Sequence, residues 1–500
     1  MFDKIKRLGT DTAIYGISTV VGRFLTFILT PFYTNVFVSA KLGVVANVYS
    51  YIAFFNILYG YGMEAAFMRY TASLEIGTKK QNFSVPFLSL LVTSFIFTFL
   101  IWWQRDFLAA LCKVPMQYAS IITYSGWILL FDALAIVPFA SLRMEGKAKM
   151  FSALKLFNIV ATVVLNLILL LKFRMGIEGV FLSNLLASAG TFMLLVPTIL
   201  KNISLEWNSK LYEALLRFSI PAIPAYIATM MIQVIDRPIL LSLTDEATVG
   251  IYQANYRLGI FMMLIVSMFD FAWRPFFLSN ANEPNAKQLF ARVLTYFFLL
   301  MMGCFLFISF FINDIVTLPL YHGKSIIAPE YWSGLSIVPV VLLAYVFLGI
   351  SNNMVAGIYI EKQTKKLPII TFVGAGVNVL ANFLLIPIIG MMGAAIATLL
   401  SYAMMAIALY LIVQKIYPSE YEFGRMAKIS AAAIVVYLLF YFVKFESLEL
   451  MWKIALLALF GVLMYVMKFF NPSEISGFTR LFSKRPANNS SVDIPPPSEV

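Results

Sequence analysis

Arg23 stands in the stretch VVGRFLTFILTPFY (20–33), and Arg257 in VGIYQANYRLGIFMMLIVSMFDFAWRPFFL (249–278), each among apolar side chains. A guanidinium at mid-depth of a bilayer costs roughly 2.5–3.5 kcal/mol on insertion scales. Arg23 follows the start of its apolar segment by about 12 residues, roughly 18 Å of helix, too deep for its side chain to snorkel to an interface. Two arrangements account for it: a structural pairing with a carboxylate or backbone carbonyls of a neighbouring helix, or a water-filled cavity that Arg23 lines. Around Arg257 the segment presents Tyr252, Gln253, Asn255 and Tyr256, whose amides and phenols suit a wet, polar passage. Asp270 and Arg274 lie four apart, where an ion pair forms readily on one helix face. Asp236 and Arg237 stand beside Pro238. Adjacent helical residues point to different faces, so a solvated mouth is the simplest reading of that pair. Glu64 and Arg69 sit near a helix end, where they line a vestibule or meet lipid headgroups. Asp132 is a buried carboxylate open to cation or proton coupling.

Enzyme chemistry finds little support. No metal-ligand spacing, phosphate loop or nucleophile with a nearby histidine is present. The one histidine, His322, reads as a loop residue, and the two cysteines, Cys112 and Cys304, are too few for a disulfide framework. The chain is expected not to be an enzyme, and no cofactor is implied.

The composition says what must position these residues. Of 500 residues 61% are hydrophobic and only 12% charged, about half the charge of a soluble globular protein. This is the composition of an all-α integral membrane protein. The net charge of +12 would suggest nucleic acid in a soluble chain; here it reflects basic cytoplasmic loops, and no nucleic-acid partner is expected. Apolar runs of about 20 residues or more predict about fourteen spans, near 11–38, 43–70, 83–104, 117–142, 150–171, 177–200, 212–240, 247–279, 288–313, 333–359, 367–388, 391–414, 427–444 and 450–469. With the N-terminus inside, most of the 37 lysines and arginines fall on the cytoplasmic side, which predicts both termini there. No cleaved leader is evident at the basic start. Pro221 and Pro224 predict a bend in the seventh span, and the longest outer connection is expected over about 314–332.

The chain also repeats. Pro31, Gly43 and Tyr49 recur after 207 residues as Pro238, Gly250 and Tyr256; Glu145, Lys149 and Asn166 recur after 216 as Glu361, Lys365 and Asn382. Gly176-x-x-Gly179 likewise matches Gly390-x-x-Gly393. Six spans per copy makes the copies parallel, with a substrate path between them. The expected organisation is a lobe over 1–208, a lobe over 209–416, two extra helices over 417–470 and a tail over 471–500 whose Pro- and Ser-rich end is disordered.

With fourteen spans arranged so, the basic EGKAKMF after the fourth span, and IDRPILLSLTDEATVGIYQANY across spans seven and eight, the chain resembles the Wzx-type polysaccharide flippases of the multidrug/oligosaccharidyl-lipid/polysaccharide (MOP) exporter superfamily. The resemblance runs to about residue 470, and its DR…VGIY…Y pattern is the most specific part. It implies translocation of undecaprenyl-pyrophosphate-linked oligosaccharide, an O-antigen, capsule or exopolysaccharide repeat unit, from the cytoplasmic to the outer leaflet by alternating access. It implies a bacterial inner membrane, membrane lipids around the protein, and other glycan-assembly membrane proteins as candidate partners; coupling to H+ or Na+ stays open. Arg23 and Arg257 fit the family's cationic cavity, and Asp236 and Arg237 match its DR motif; Asp270 and Arg274 have no motif counterpart. A planar guanidinium suits a diphosphate because it binds phosphate oxygens in pairs. The neighbouring readings are a MurJ-type lipid II flippase and a MATE-type cation-coupled drug antiporter. The excess of arginine over acid in the spans argues against the antiporter, and a membrane glycan polymerase would need a sizeable catalytic outer loop.

Overall fold

In this computed structural model the described residues are 21–319, 323–445 and 448–470. The first ten residues of the first expected span, His322 and the 471–500 tail lie outside them. Helix α1 is helical over 21–36. It is followed by thirteen helices long and apolar enough to cross a membrane: α2 Ser39–Ser73, α3 Lys79–Trp103, α4 Met116–Met144, α5 Ala148–Lys172, α6 Gly176–Asn202, α7 Ser209–Val234, α8 Glu246–Asn280, α9 Ala286–Thr317, α10 Pro329–Ile360, α11 Thr364–Ile389, α12 Met391–Ile416, α13 Phe423–Phe442 and α14 Glu449–Val466. No strand occurs among the described residues beyond one isolated bridge, Pro319 to Ser325. The protein is a multi-pass, all-helical membrane protein.

In lipid the backbone must satisfy its hydrogen bonds within each segment, so helix is the default and departures from it carry information. α2 breaks at Tyr61 and Gly62, where Gly62 takes φ 76°. The prolines of α7 act as expected: a 3₁₀ turn at Ile220–Ala222 divides Ser209–Ser219 from Ile223–Val234. A second break at Ile235 precedes a short continuation, Asp236–Leu243. α8 carries a 3₁₀ turn at Arg257–Gly259 in its middle. A short helix, Arg105–Leu111, joins α3 to α4; seven residues are too few to register as a span. Beside it the backbone carbonyl of Cys112 accepts from Asn47, and burial pushes the Cys112 thiol up to about 11.

Residues up to Tyr421 form one compact unit and those from Glu422 a second. Within the first, α3 packs on α4, α4 on α6, α10 on α12 and α11 on α12. Lipid tails are as apolar as leucine, so association depends on close packing and small residues. The tightest approach joins α2 to α8. A Cβ on Gly43 would lie 1.8 Å from the Glu246 carbonyl oxygen, and one on Gly250 1.9 Å from that of Ser39. The two glycines matched by the sequence repeat thus meet each other backbone to backbone. The α9–α10 connection, shorter than expected because α9 continues to Thr317 and a 3₁₀ helix starts at Pro329, lies across this end. Glu330 accepts from the Ser39 amide at 2.8 Å, Tyr331 donates to the Phe37 carbonyl at 2.7 Å, and Asn35 donates to the Ser325 carbonyl at 2.9 Å. Large apolar side chains, among them Phe95, Phe99, Trp102 and Trp103, remain exposed on the outside of the bundle, as a lipid-facing surface requires. In the second unit α13 and α14 pack together, with Lys453 paired to Glu449 at 2.6 Å.

Candidate functional site

A chamber of ≈ 830 Å³ lies among α1, α5, α7, α8, α10 and α12, within the size range of small-molecule sites. α8 supplies much of its wall, from Gln253 to Phe271, roughly 27 Å of helix at 1.5 Å per residue. Four cations line it: Arg23 from α1, Lys155 from α5, Arg237 beyond α7, and Arg257 from α8. One carboxylate, Asp270, does so.

The cations differ in what already holds them. Arg237 is buried and bound on all sides. It pairs with Asp236 at 2.5 Å, donates to Gln253 Oε1 at 3.0 Å and to the Gln233 carbonyl at 2.7 Å, and stacks over Tyr256 at 4.3 Å. The second Asp236 oxygen accepts from the Tyr252 hydroxyl at 2.5 Å. The sequence reading left this ion pair open; the two adjacent side chains form it, both of them buried. Arg23 and Arg257 are different. Arg23 donates to Ser267 Oγ at 2.5 Å and Arg257 to Thr30 Oγ1 at 3.4 Å. Among the described residues neither has a carboxylate within ion-pair distance. Lys155 sits 4.3 Å from the centre of the Phe139 ring and interacts electrostatically with the buried Asp132, beyond ion-pair distance. Asp270 is engaged by Arg274 at 3.1 Å, so the acid in the wall is neutralised from outside it. Net positive charge facing the chamber therefore comes from Arg23, Lys155 and Arg257.

Of the residues singled out in the sequence, Arg23, Gln253, Tyr256, Arg237, Arg257 and Asp270 line one chamber. Four expected members do not line it. Tyr252 is buried and donates to Asp236. Asn255 is buried away from it and donates to the Tyr331 carbonyl at 2.8 Å, where Gly334 leaves it room. Asp236 lies behind Arg237, and Arg274 is exposed beyond Asp270. Glu64 pairs with Arg143 of α4, and Arg69 stacks over Phe218 at 4.8 Å. Asp132 accepts from Ser188 at 2.8 Å. Lys155 is the main residue missed. Six residues after Lys149, it reads in sequence as part of a basic helix end, and only the packing of α5 shows that it faces inward. Among the described residues no cluster of His, Cys, Asp or Glu is placed to hold a metal ion.

The fold is similar to that of solved flippase and multidrug-transporter structures. The structure of the lipid II flippase MurJ in its inward closed conformation matches with a TM-score of 0.70 at 15% identity, over 92% of this chain and 100% of that one. An inward-facing MATE-family multidrug resistance transporter of the MOP superfamily matches with 0.61 at 14%, over 79% and 94%. The Vibrio cholerae MATE transporter VcmN matches with 0.59 at 17%, over 82% and 96%. At such identities the likeness is one of fold. No curated protein sequence matches the chain. Residues 37–322, more than half the chain, match the family described as polysaccharide biosynthesis protein, and the chain belongs to that family.

Proposed function

We propose that this protein is a Wzx-type flippase that carries undecaprenyl-pyrophosphate-linked oligosaccharide across the bacterial inner membrane by alternating access, with both termini in the cytoplasm. The observation that carries this reading is the wall of the chamber: Arg23 and Arg257 face it with no carboxylate within ion-pair distance. Uncompensated charge at this depth is costly, and an anionic ligand offsets that cost. A diphosphate matches the geometry of guanidinium donors. A drug–cation antiporter would need free carboxylates, and the single acid of the wall is already bound to Arg274.

In this reading helices 1–6 and 7–12 form the two lobes. The diphosphate binds between Arg23 and Arg257, the prenyl tail stays in the surrounding lipid, and the lobes rock about the site. The Gly43–Gly250 crossing, with the Glu330 and Tyr331 contacts beside it, seals the outer side. Lipid-linked glycan and membrane lipids are the partners, together with glycan-assembly proteins of the same membrane. The decisive experiment is complementation. The gene should restore surface glycan to a strain lacking its Wzx-type flippase and should not rescue one lacking its lipid II flippase; Arg23→Gln should cut the restoration by about 10- to 100-fold while the protein stays in the membrane. Full glycan export by Arg23→Gln removes the site, and rescue of only the lipid II strain reassigns the substrate.

A further inference from the structure

Behind Arg257 lies a second, smaller chamber of ≈ 300 Å³ enclosed by α1, α2, α5, α6 and α8. It shares Thr26, Ile159, Gln253 and Arg257 with the main chamber, so Arg257 stands in the wall between them. Its polar lining is Thr30, Tyr33, Tyr49, Asn158, Thr162 and Asn184, with no carboxylate and no cation besides Arg257. We infer that this chamber is a sugar subsite, receiving the ring next to the diphosphate while the diphosphate rests on Arg257 and Arg23. The inference rests on the flippase reading above.

The lining chemistry selects this occupant. A metal cation would meet Arg257 and no acid. A second phosphate would find one cation and mostly uncharged oxygens. A prenyl chain would leave the side-chain oxygens of Asn158 and Asn184 and the remaining N–H groups of Arg257 without partners, at about 1–3 kcal/mol each. A sugar ring carries hydroxyls that both donate and accept, and the wall offers both. Asn184 donates to the Tyr49 hydroxyl at 3.2 Å and Asn158 to Thr191 at 3.0 Å. That leaves their carbonyl oxygens as acceptors, while the remaining guanidinium N–H groups of Arg257 can donate. The frame is rigid. Tyr33 donates to Asn166 at 2.8 Å, and Tyr49 stacks on Phe181 with ring centres 5.0 Å apart. Aromatic rings held this way present an apolar face and a polar tip, which suits the C–H face and hydroxyl rim of a pyranose. The volume lies at the small end of about 300–1,000 Å³ for ligand sites, room for one ring and not a chain. The rest of the glycan would occupy the main chamber.

The test uses two probes on the purified full chain in nanodiscs: undecaprenyl diphosphate, and the same lipid bearing one N-acetylhexosamine. The wild type should bind the sugar-bearing lipid about 10-fold more tightly, equivalent to about 1.4 kcal/mol. Asn158→Leu and Asn184→Leu should each bring that ratio close to one while binding the bare diphosphate as before. Should either leucine variant fold poorly, Tyr49→Phe removes one hydroxyl, keeps the stack on Phe181, and should lower the ratio about 3-fold. Equal binding of both lipids by the wild type, or an unchanged ratio in the variants that fold, overturns the subsite and leaves only solvent in the chamber. Failure of the wild type to bind either lipid overturns the flippase reading itself.

Discussion

Two walls of the main chamber carry arginine, and they carry it differently. On the α7 side Arg237 is enclosed by Asp236, Gln253, the Gln233 carbonyl and the Tyr256 ring. On the α1 and α8 side Arg23 and Arg257 each hold a single hydroxyl. The first arrangement is complete without a ligand. Its charge is compensated by Asp236 and its Nε and Nη1 groups are hydrogen-bonded, so it braces the break at Ile235. The second is incomplete, with donors directed into open space. Buried charge in a membrane protein thus separates into structure and site by what it touches, not by how deep it lies.

The largest effect should follow from breaking the complete wall. Asp236→Ala leaves Arg237 buried and unpaired, a loss of about 3–5 kcal/mol. Thermal unfolding in detergent should show it as a large drop in midpoint, with export lost only because folded protein is lost. Arg257→Gln and Arg23→Gln should do the opposite, leaving the midpoint nearly unchanged and cutting export by about 10- to 100-fold, since each charged hydrogen bond is worth about 1.5–3 kcal/mol. If Arg237→Gln with Asp236→Asn impairs export as deeply in well-folded protein, the distinction between the two walls fails. Gly250→Val should come next. Forcing α8 away from α2 shifts Arg257 and disturbs the Gln253 and Tyr256 contacts of Arg237, so transport should weaken severalfold, measured as surface glycan per folded molecule. The smallest effect is expected of Lys155→Gln, about 3-fold, because an ammonium contributes a point charge without paired donors.

Much of this was legible in the chain. Apolar runs set the number of helices, and α3, α6, α11 and α12 fall within a few residues of their expected ends. Arg23 and Arg257 stood out because nothing about a lipid-facing surface explains them. The repeat pointed to Gly43 and Gly250 without saying that they touch. Asn255 was misjudged because an amide beside Gln253 looks equally available in one dimension. In three, the packing of α8 against the Pro329–Ile337 turn buries it. Nothing in the chain pointed to Arg143 of α4 as the partner of Glu64, because the two come from different helices.

By itself the sequence determined that this is a polytopic helical protein with cations too deep to snorkel, because length, hydropathy and the energy of a charge in hydrocarbon are local properties. The tertiary structure decided which cations are already paired, that Lys155 joins them, and that a second chamber lies behind Arg257. Those outcomes depend on which helix faces meet. Residues more than 200 apart in the chain, such as Arg23 and Ser267, become neighbours only once the backbones have packed.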